Sequence, residues 1–209
     1  MTSHLRTLPL LVALICLAAC AANTTLTSSW RAPDVQPISA AGKTVAAVYM
    51  SRHESQRRAG EEALAAEITN RGARGIPAYT IVPDAPQMSA DAVRAKLKDA
   101  GVNAVVVMRV VGRDQRITYS PGYVVADPYL GFGPYWGYGW GTVYSPGYLQ
   151  SDTLVSVETL LYGLQSDKLL WASTSRTTNP SDLAGLVNEV AHATANEMVR
   201  QGLLAPLPK

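Results

Sequence analysis

Apolar positions recur along this chain with two periods, every second residue in some stretches and every third or fourth in others, and the changes of period mark the elements. Lys43–Met50 (KTVAAVYM) reads as a short apolar strand. Ser51-Arg52-His53-Glu54 then fits a capping box, with Ser51 at the N-cap and Glu54 at N3. The helix it opens is predicted to run to about Arg71, with Leu64, Ala65 and Ile68 facing inward and Gly72 as its stop. A short strand is expected around Ala78–Val82, closed by Pro83. Ser89 caps a second helix carrying Val93, Leu97 and Ala100 on one face, and Gly101 ends it. Ala104–Val111 is the most apolar strand of the body and suits a central place covered on both faces, with Arg113–Tyr119 as its polar continuation. Leu154–Tyr162 and Leu169–Thr174, joined across Gly163–Lys168, predict a hairpin. Asn179-Pro180 breaks the second of these strands, and Ser181 caps a last helix. Its stripe is Leu183, Leu186, Val187, Val190, Ala191, Thr194 and Met198, ending at Gly202. The fold class this implies is α+β (α/β-like). It has a single mixed sheet in the order β-α-β-α-β, insert, β-β-α, with the helices packed on the sheet.

The insert, residues 119–148, follows neither period. It holds Tyr119, Tyr123, Tyr129, Phe132, Tyr135, Trp136, Tyr138, Trp140, Tyr144 and Tyr148, ten of the fifteen aromatics in the chain, and Asp127 is its only charge. Seven Gly and four Pro are interleaved. Ser120-Pro-Gly-Tyr123 recurs as Ser145-Pro-Gly-Tyr148, which suggests paired turns where the excursion leaves and rejoins the sheet. A connection this long without a period of its own is either functional or a loose linker. Exposed Tyr and Trp supply large contact area at low entropic cost, so the insert is a candidate binding surface. The same rings can stack on sugars or lie at a membrane interface.

The amino-terminal stretch has a different logic. Arg6 and the apolar run Leu8–Leu17 precede small residues, the pattern of a secretory signal peptide over residues 1–19. That run is too short to span a bilayer, which takes about 20 apolar residues. Leu17-Ala18-Ala19-Cys20 resembles the lipobox of bacterial lipoproteins. The resemblance implies cleavage before Cys20 and acylation of that residue, and Ala21 after it implies sorting to the outer membrane. Residues 20–42 then read as the lipidated Cys and a flexible tether, holding the body about 25 Å from the lipid surface. Trp30 is the exception within it, and is expected to dock back on the body. Residues 43–205 make one domain, a size that supports a real core.

Charge and cysteine content narrow the chemistry. Cleavage removes Arg6 and no acid, so 18 Lys+Arg become 17 against 16 Asp+Glu, a net charge of about +1. Such a balance argues against nucleic acid, whose binders present basic faces. Cys16 leaves with the signal and Cys20 takes the lipid, so the body keeps no thiol for a disulfide or a metal site. His53 stands at a helix start. His192 shares a helix face with Glu189 and Asn196, one imidazole and one carboxylate, which underfill a zinc site. No nucleophile elbow, Walker loop or His-Glu-x-x-His stands in the chain. Arg57, Arg58, Glu61 and Glu62 read as a solvated helix face. The expectation is therefore no enzyme, no metal and no cofactor.

One set of residues carries a family likeness. Ser29-Trp30 with Pro33, the strand Thr44–Met50, Arg58 with Glu62, and Pro77-x-Tyr79 with Pro83 come first. The aromatic insert, Leu170-Trp171 and Thr178-Asn179-Pro180 follow in order. Together they resemble a group of uncharacterised Gram-negative outer-membrane lipoproteins, over nearly all of the chain after Cys20. The fold this implies is similar to the periplasmic α/β domain of lipoproteins that activate penicillin-binding proteins or secrete curli, and to the amino-terminal domain of the Tol translocation protein. Fold likeness transfers no activity. The expectation is a non-enzymatic lipoprotein on the periplasmic face of the outer membrane. Its lipid on Cys20 engages the membrane, and the insert residues from Tyr123 to Tyr148 engage an envelope protein or, alternatively, peptidoglycan.

Overall fold

A computed structural model of the chain describes residues 23–121 and 148–205. The signal segment, Cys20 and the insert from Gly122 to Gly147 lie outside the described residues.

The elements are β1 (Thr24–Arg31), β2 (Thr44–Met50), α1 (Glu54–Asn70), β3 (Arg74–Pro77), α2 (Ala90–Asp99), β4 (Ala104–Ser120), β5 (Tyr148–Gly163), β6 (Lys168–Thr178) and α3 (Leu183–Arg200). They form one mixed six-stranded sheet in the order β1-β6-β5-β4-β2-β3. β2 runs parallel to both β3 and β4, as crossover connections through helices require, and the remaining pairs are antiparallel.

Alternation along the strands sends side chains to two faces. On one face Ala47, Tyr49, Met108, Val155 and Val157 pack against Leu64 and Ala65 of α1 and Leu186, Val187 and Val190 of α3. On the other, Ala46, Val105 and Val107 meet Ala78, Val82 and Leu97, so α2 covers only part of that face. Two glycines set how closely α1 lies on the sheet. A Cβ on Gly60 would fall 2.4 Å from the Tyr49 ring, and one on Gly75 would fall 2.1 Å from the Ala65 carbonyl oxygen. α1, α2 and α3 end where expected, at Gly72, Gly101 and Gly202, all with positive φ.

Four sequence expectations change. Thr24–Arg31 is not tether but an edge strand, paired with β6 from Thr24↔Thr177 to Arg31↔Trp171. Its hydroxyls take the place of apolar side chains: Thr24 donates to Glu189 of α3 (2.9 Å) and lies 2.6 Å from the Thr177 hydroxyl. Trp30 stands on this strand about half exposed. The strand expected at Ala78–Val82 is instead Arg74–Pro77, and Ala78–Thr80 is a 3-10 turn, since Pro77 presents no N–H to extend the ladder. His53 is the N-cap of α1, without a side-chain cap, and the Ser51 hydroxyl accepts from the His53 N–H instead. Asp182 rather than Ser181 caps α3, accepting from the Gly185 N–H at 2.7 Å. Ser89 caps α2 as read.

Candidate functional site

β4 and β5 are the longest strands, 17 and 16 residues, and their ladder runs unbroken in partner from Ala104↔Gly163 to Ser120↔Tyr148. Their neighbours stop sooner. β2 pairs with β4 only as far as Arg109, and β6 pairs with β5 only from Gly163 back to Leu154. Among the described residues, the six pairs from Gln115↔Thr153 to Ser120↔Tyr148 therefore have no third strand. At about 3.4 Å per residue this two-stranded arm reaches about 20 Å past the rest of the sheet. A register shift between Val110 and Gly112 marks where it departs, the bulge adding twist.

The arm presents apolar groups to solvent. Ile117 (68% exposed), Tyr119 (63%) and Leu149 (71%) share one face, while Tyr148 (60%) stands on the other beside Ser120. That first face continues the one that α1 and α3 cover further down, and among the described residues no helix lies over it on the arm. The insert proposed as a binding surface starts and ends at its tip. Tyr119, Ser120 and Tyr148, counted at sequence level within the insert, are strand residues. Tyr123, Tyr129, Phe132, Tyr135, Trp136, Tyr138, Trp140 and Tyr144 lie outside the described residues, as does Cys20.

Asn179 fixes the base of the arm. Its backbone adopts φ +50°, its N–H donates to the Thr153 carbonyl (2.8 Å), and its side-chain oxygen accepts from the Thr153 N–H (2.7 Å). Its amide nitrogen donates to Asp152 (2.8 Å), which holds that carboxyl below the usual range. The Thr178-Asn179-Pro180 motif thus ends β6 by clamping β5. Beside it, the Thr178 N–H donates to the Asn23 carbonyl, so the start of β1 and the root of the arm occupy the same end of the sheet.

A second polar assembly lies on α1, and the solvated-face expectation fails there. Arg57 and Glu61 are buried, 5% and 1% exposed. The guanidinium of Arg57 makes a paired contact with Glu54 (2.8 and 3.0 Å) and donates to the Pro83 carbonyl (2.6 Å). Glu61 accepts from the Tyr79 N–H (2.6 Å), and its burial pushes its carboxyl above the usual range. Arg58 and Glu62 do stay outside, with the Arg58 guanidinium 4.9 Å from the Tyr79 ring centre and the Tyr79 hydroxyl donating to Glu62. The signal for burial was in the helical register. Arg57, Gly60 and Glu61 extend the stripe of Leu64, Ala65 and Ile68 backward at three- and four-residue steps. The fold brings Arg58, Glu62, Tyr79 and Pro83 of the family-like motifs into one cluster that ties the 3-10 turn to α1. Arg57 and Glu61 also line a cavity of about 730 Å³ between α2 and the sheet.

His53 and His192 do not meet. His53 is exposed at the start of α1. His192 pairs through Nδ1 with Arg71 (2.9 Å), Arg71 also donates to the side-chain oxygen of Asn196 (3.4 Å), and Glu189 accepts from Thr24. Among the described residues no three of His, Cys, Asp and Glu are grouped to hold a metal ion. Among the same residues no helix is long and apolar enough to cross a membrane.

No protein-family model matches the sequence, and no curated protein is recognisably similar to it. Among solved structures the chain is similar to a PelC dodecamer from Paraburkholderia phytofirmans, with 11% identity, 88% of this chain and 99% of that chain covered, and a TM-score of 0.46. It is also similar to the lipoprotein GNA1162 from Neisseria meningitidis, with 15% identity, 76% and 99% covered, and a TM-score of 0.41. These identities speak to the fold alone.

Proposed function

We propose that this chain is a non-enzymatic lipoprotein, anchored through Cys20 on the periplasmic face of the outer membrane, that binds an envelope protein through the aromatic insert. The observation that carries the reading is the arm. A fold that needed only to connect β4 to β5 would turn where their neighbours stop. This one continues for six further pairs with Ile117, Tyr119, Tyr148 and Leu149 in solvent. Exposed apolar groups gathered on a projecting ribbon favour contact with another macromolecule. The lipobox-like Leu17–Cys20 supports the anchor, and two or more acyl chains hold a protein stably on a membrane. Because the sheet begins at Thr24, Cys20 precedes Asn23 by only about 10 Å of extended chain. The anchor and the arm then work from the same end of the sheet.

The test is to replace residues 122–147 with an Asn-Gly turn joining Pro121 to Tyr148, and to crosslink the protein in its native envelope. The expected result is an unchanged thermal transition of the body with loss of the protein crosslinks. Crosslinks that persist, or retention on purified peptidoglycan sacculi that vanishes with the insert while protein crosslinks are absent throughout, would overturn the reading. Cys20→Ala should abolish fatty-acid labelling, and labelling that survives it would remove the anchor.

A further inference from the structure

The short reach of chain before β1 limits how a lipid-anchored body can stand on its membrane. The Asn23 carbonyl accepts from the Thr178 N–H (3.0 Å), and Thr178 pairs with Leu154 at the root of the arm. Cys20 stands three residues before Asn23, so its Cα lies within about 10 Å whatever path those residues take. From Thr24, β1 carries the sheet about 25 Å in the direction away from the arm. A body with its arm pointing away from the membrane would place that length between Asn23 and the lipid surface, more than residues 20–23 can span. A body resting on its helices or on the β1 edge would hold the arm about 10 Å off the surface. With the arm leading, its reach of about 20 Å exceeds the distance allowed between Asn23 and Cys20, and the tip enters the interface.

The side chains favour that last orientation. The charged residues of β4 and β5 end at the Arg116↔Asp152 pair, and none stands on the four pairs from Ile117↔Ser151 to Ser120↔Tyr148. Ile117, Tyr119, Tyr148 and Leu149 on these pairs are at least 60% exposed. Tyr148 lies on the opposite face from the other three, so apolar groups surround the ribbon, as tip-first entry into lipid requires. The two tyrosines occupy the last two pairs, and tyrosine suits headgroup depth, with an apolar ring and a polar end. Hydrocarbon would leave the N–H and C=O groups on the ribbon's edges unanswered, which limits the arm to the hydrated interface. We propose that the outer four pairs of the arm rest among the headgroups of the membrane that holds Cys20, with Ile117, Tyr119, Tyr148 and Leu149 as the contacts. The inference rests on the Cys20 anchor proposed above and adds a lipid surface as partner of the strand residues. A protein engaged by the insert is then met at that surface.

The body has no cysteine besides Cys20, so a single Leu149→Cys can carry a nitrobenzoxadiazole fluorophore. The labelled, lipidated whole chain is reconstituted into vesicles of phosphatidylethanolamine and phosphatidylglycerol containing a doxyl-lipid quencher. Quenching is expected at Leu149→Cys and not at Gln165→Cys, in the β5–β6 turn at the opposite end of the sheet. Adding Ile117→Asp and Tyr119→Asp should abolish the quenching while circular dichroism shows an unchanged body. Protein that floats with the vesicles but is quenched no more at Leu149→Cys than at Gln165→Cys would overturn the proposal and leave the anchor standing. Quenching that survives the double substitution would mean that the lipid on Cys20 alone holds the arm there, and would overturn it too. Shielding of the Leu149→Cys label from aqueous iodide in native envelopes but not in vesicles would assign the arm to a protein instead. Protein that fails to float with the vesicles would overturn the anchor, and this inference with it.

Discussion

β4 and β5 live in two environments along one continuous ladder. From Ala104 to Met108, and from Val157 to Leu161, their side chains are buried or half-buried, and Met108 and Val157 are 1% exposed. Past the bulge at Val110/Gly112 the backbone pairing is the same, yet Ile117, Tyr119 and Leu149 stand in solvent. The difference teaches that hydrogen-bonded pairing and hydrophobic burial are separable here. The inner half is held by both. The outer half is held by the ladder alone, and an isolated two-stranded ribbon is marginal in water. What keeps the arm extended is its fusion to the inner half and the Asn179 clamp at its root.

The largest expected effect tests that contrast directly. Met108→Ala should destabilise the protein by about 2–5 kcal/mol, while Ile117→Ala should stay within about 0.5 kcal/mol. Urea denaturation followed by circular dichroism measures both. Comparable losses would mean that the arm is packed against something and would break the comparison. Asn179→Ala comes next. It removes two side-chain hydrogen bonds and puts Ala at φ +50°, for a loss of about 1–2 kcal/mol. Amide exchange should quicken in residues 148–153 and not in 157–163, and uniform quickening would count against a clamp. The smallest effect is a pH dependence. The buried Glu61 carboxyl is raised by desolvation, so it is protonated in the folded chain at pH values where the unfolded chain has already lost that proton. Its contribution therefore turns unfavourable as pH rises above the ordinary value of 4.5 toward the folded one. Asp152 on the arm is lowered by Asn179 and Gln150, and its contribution is present above the ordinary 3.8 and lost as pH falls below it. Glu61→Gln should thus gain thermal stability relative to the parent as pH rises from 5 to 8, whereas Asp152→Asn should show no trend over that range. A flat difference for Glu61→Gln would show that its carboxyl is not raised.

Most of the body was legible in the chain because its elements bury apolar side chains at regular steps. The strand Thr44–Met50, the hairpin of β5 and β6, the inward stripe of α3 and the burial of Leu97 on α2 followed from period alone, whereas Ala100 of the expected α2 stripe is exposed. β1 was not legible. Thr24, Leu26 and Ser29 pair with hydroxyl-bearing positions of β6, Thr177, Ser175 and Ser173, and most of the strand is exposed, so a paired edge reads as a polar tether. Arg57 and Glu61 were misplaced for a related reason. Charge argued for solvent, and the Glu54 carboxylate one turn away, together with the carbonyl of Pro83 and the N–H of Tyr79 brought over by the chain after β3, makes burial tolerable.

What the amino-acid sequence determined by itself was the succession of elements, their apolar faces, the aromatic excursion between β4 and β5, and the lipobox-like Leu17–Cys20. Those are local properties, set by spacing and side-chain chemistry within a few residues. What only the tertiary structure decided was which polar groups are buried and how far β4 and β5 outrun their neighbours. Each of these depends on groups distant in sequence arriving at one place, where the absence of water changes the worth of every hydroxyl and charge.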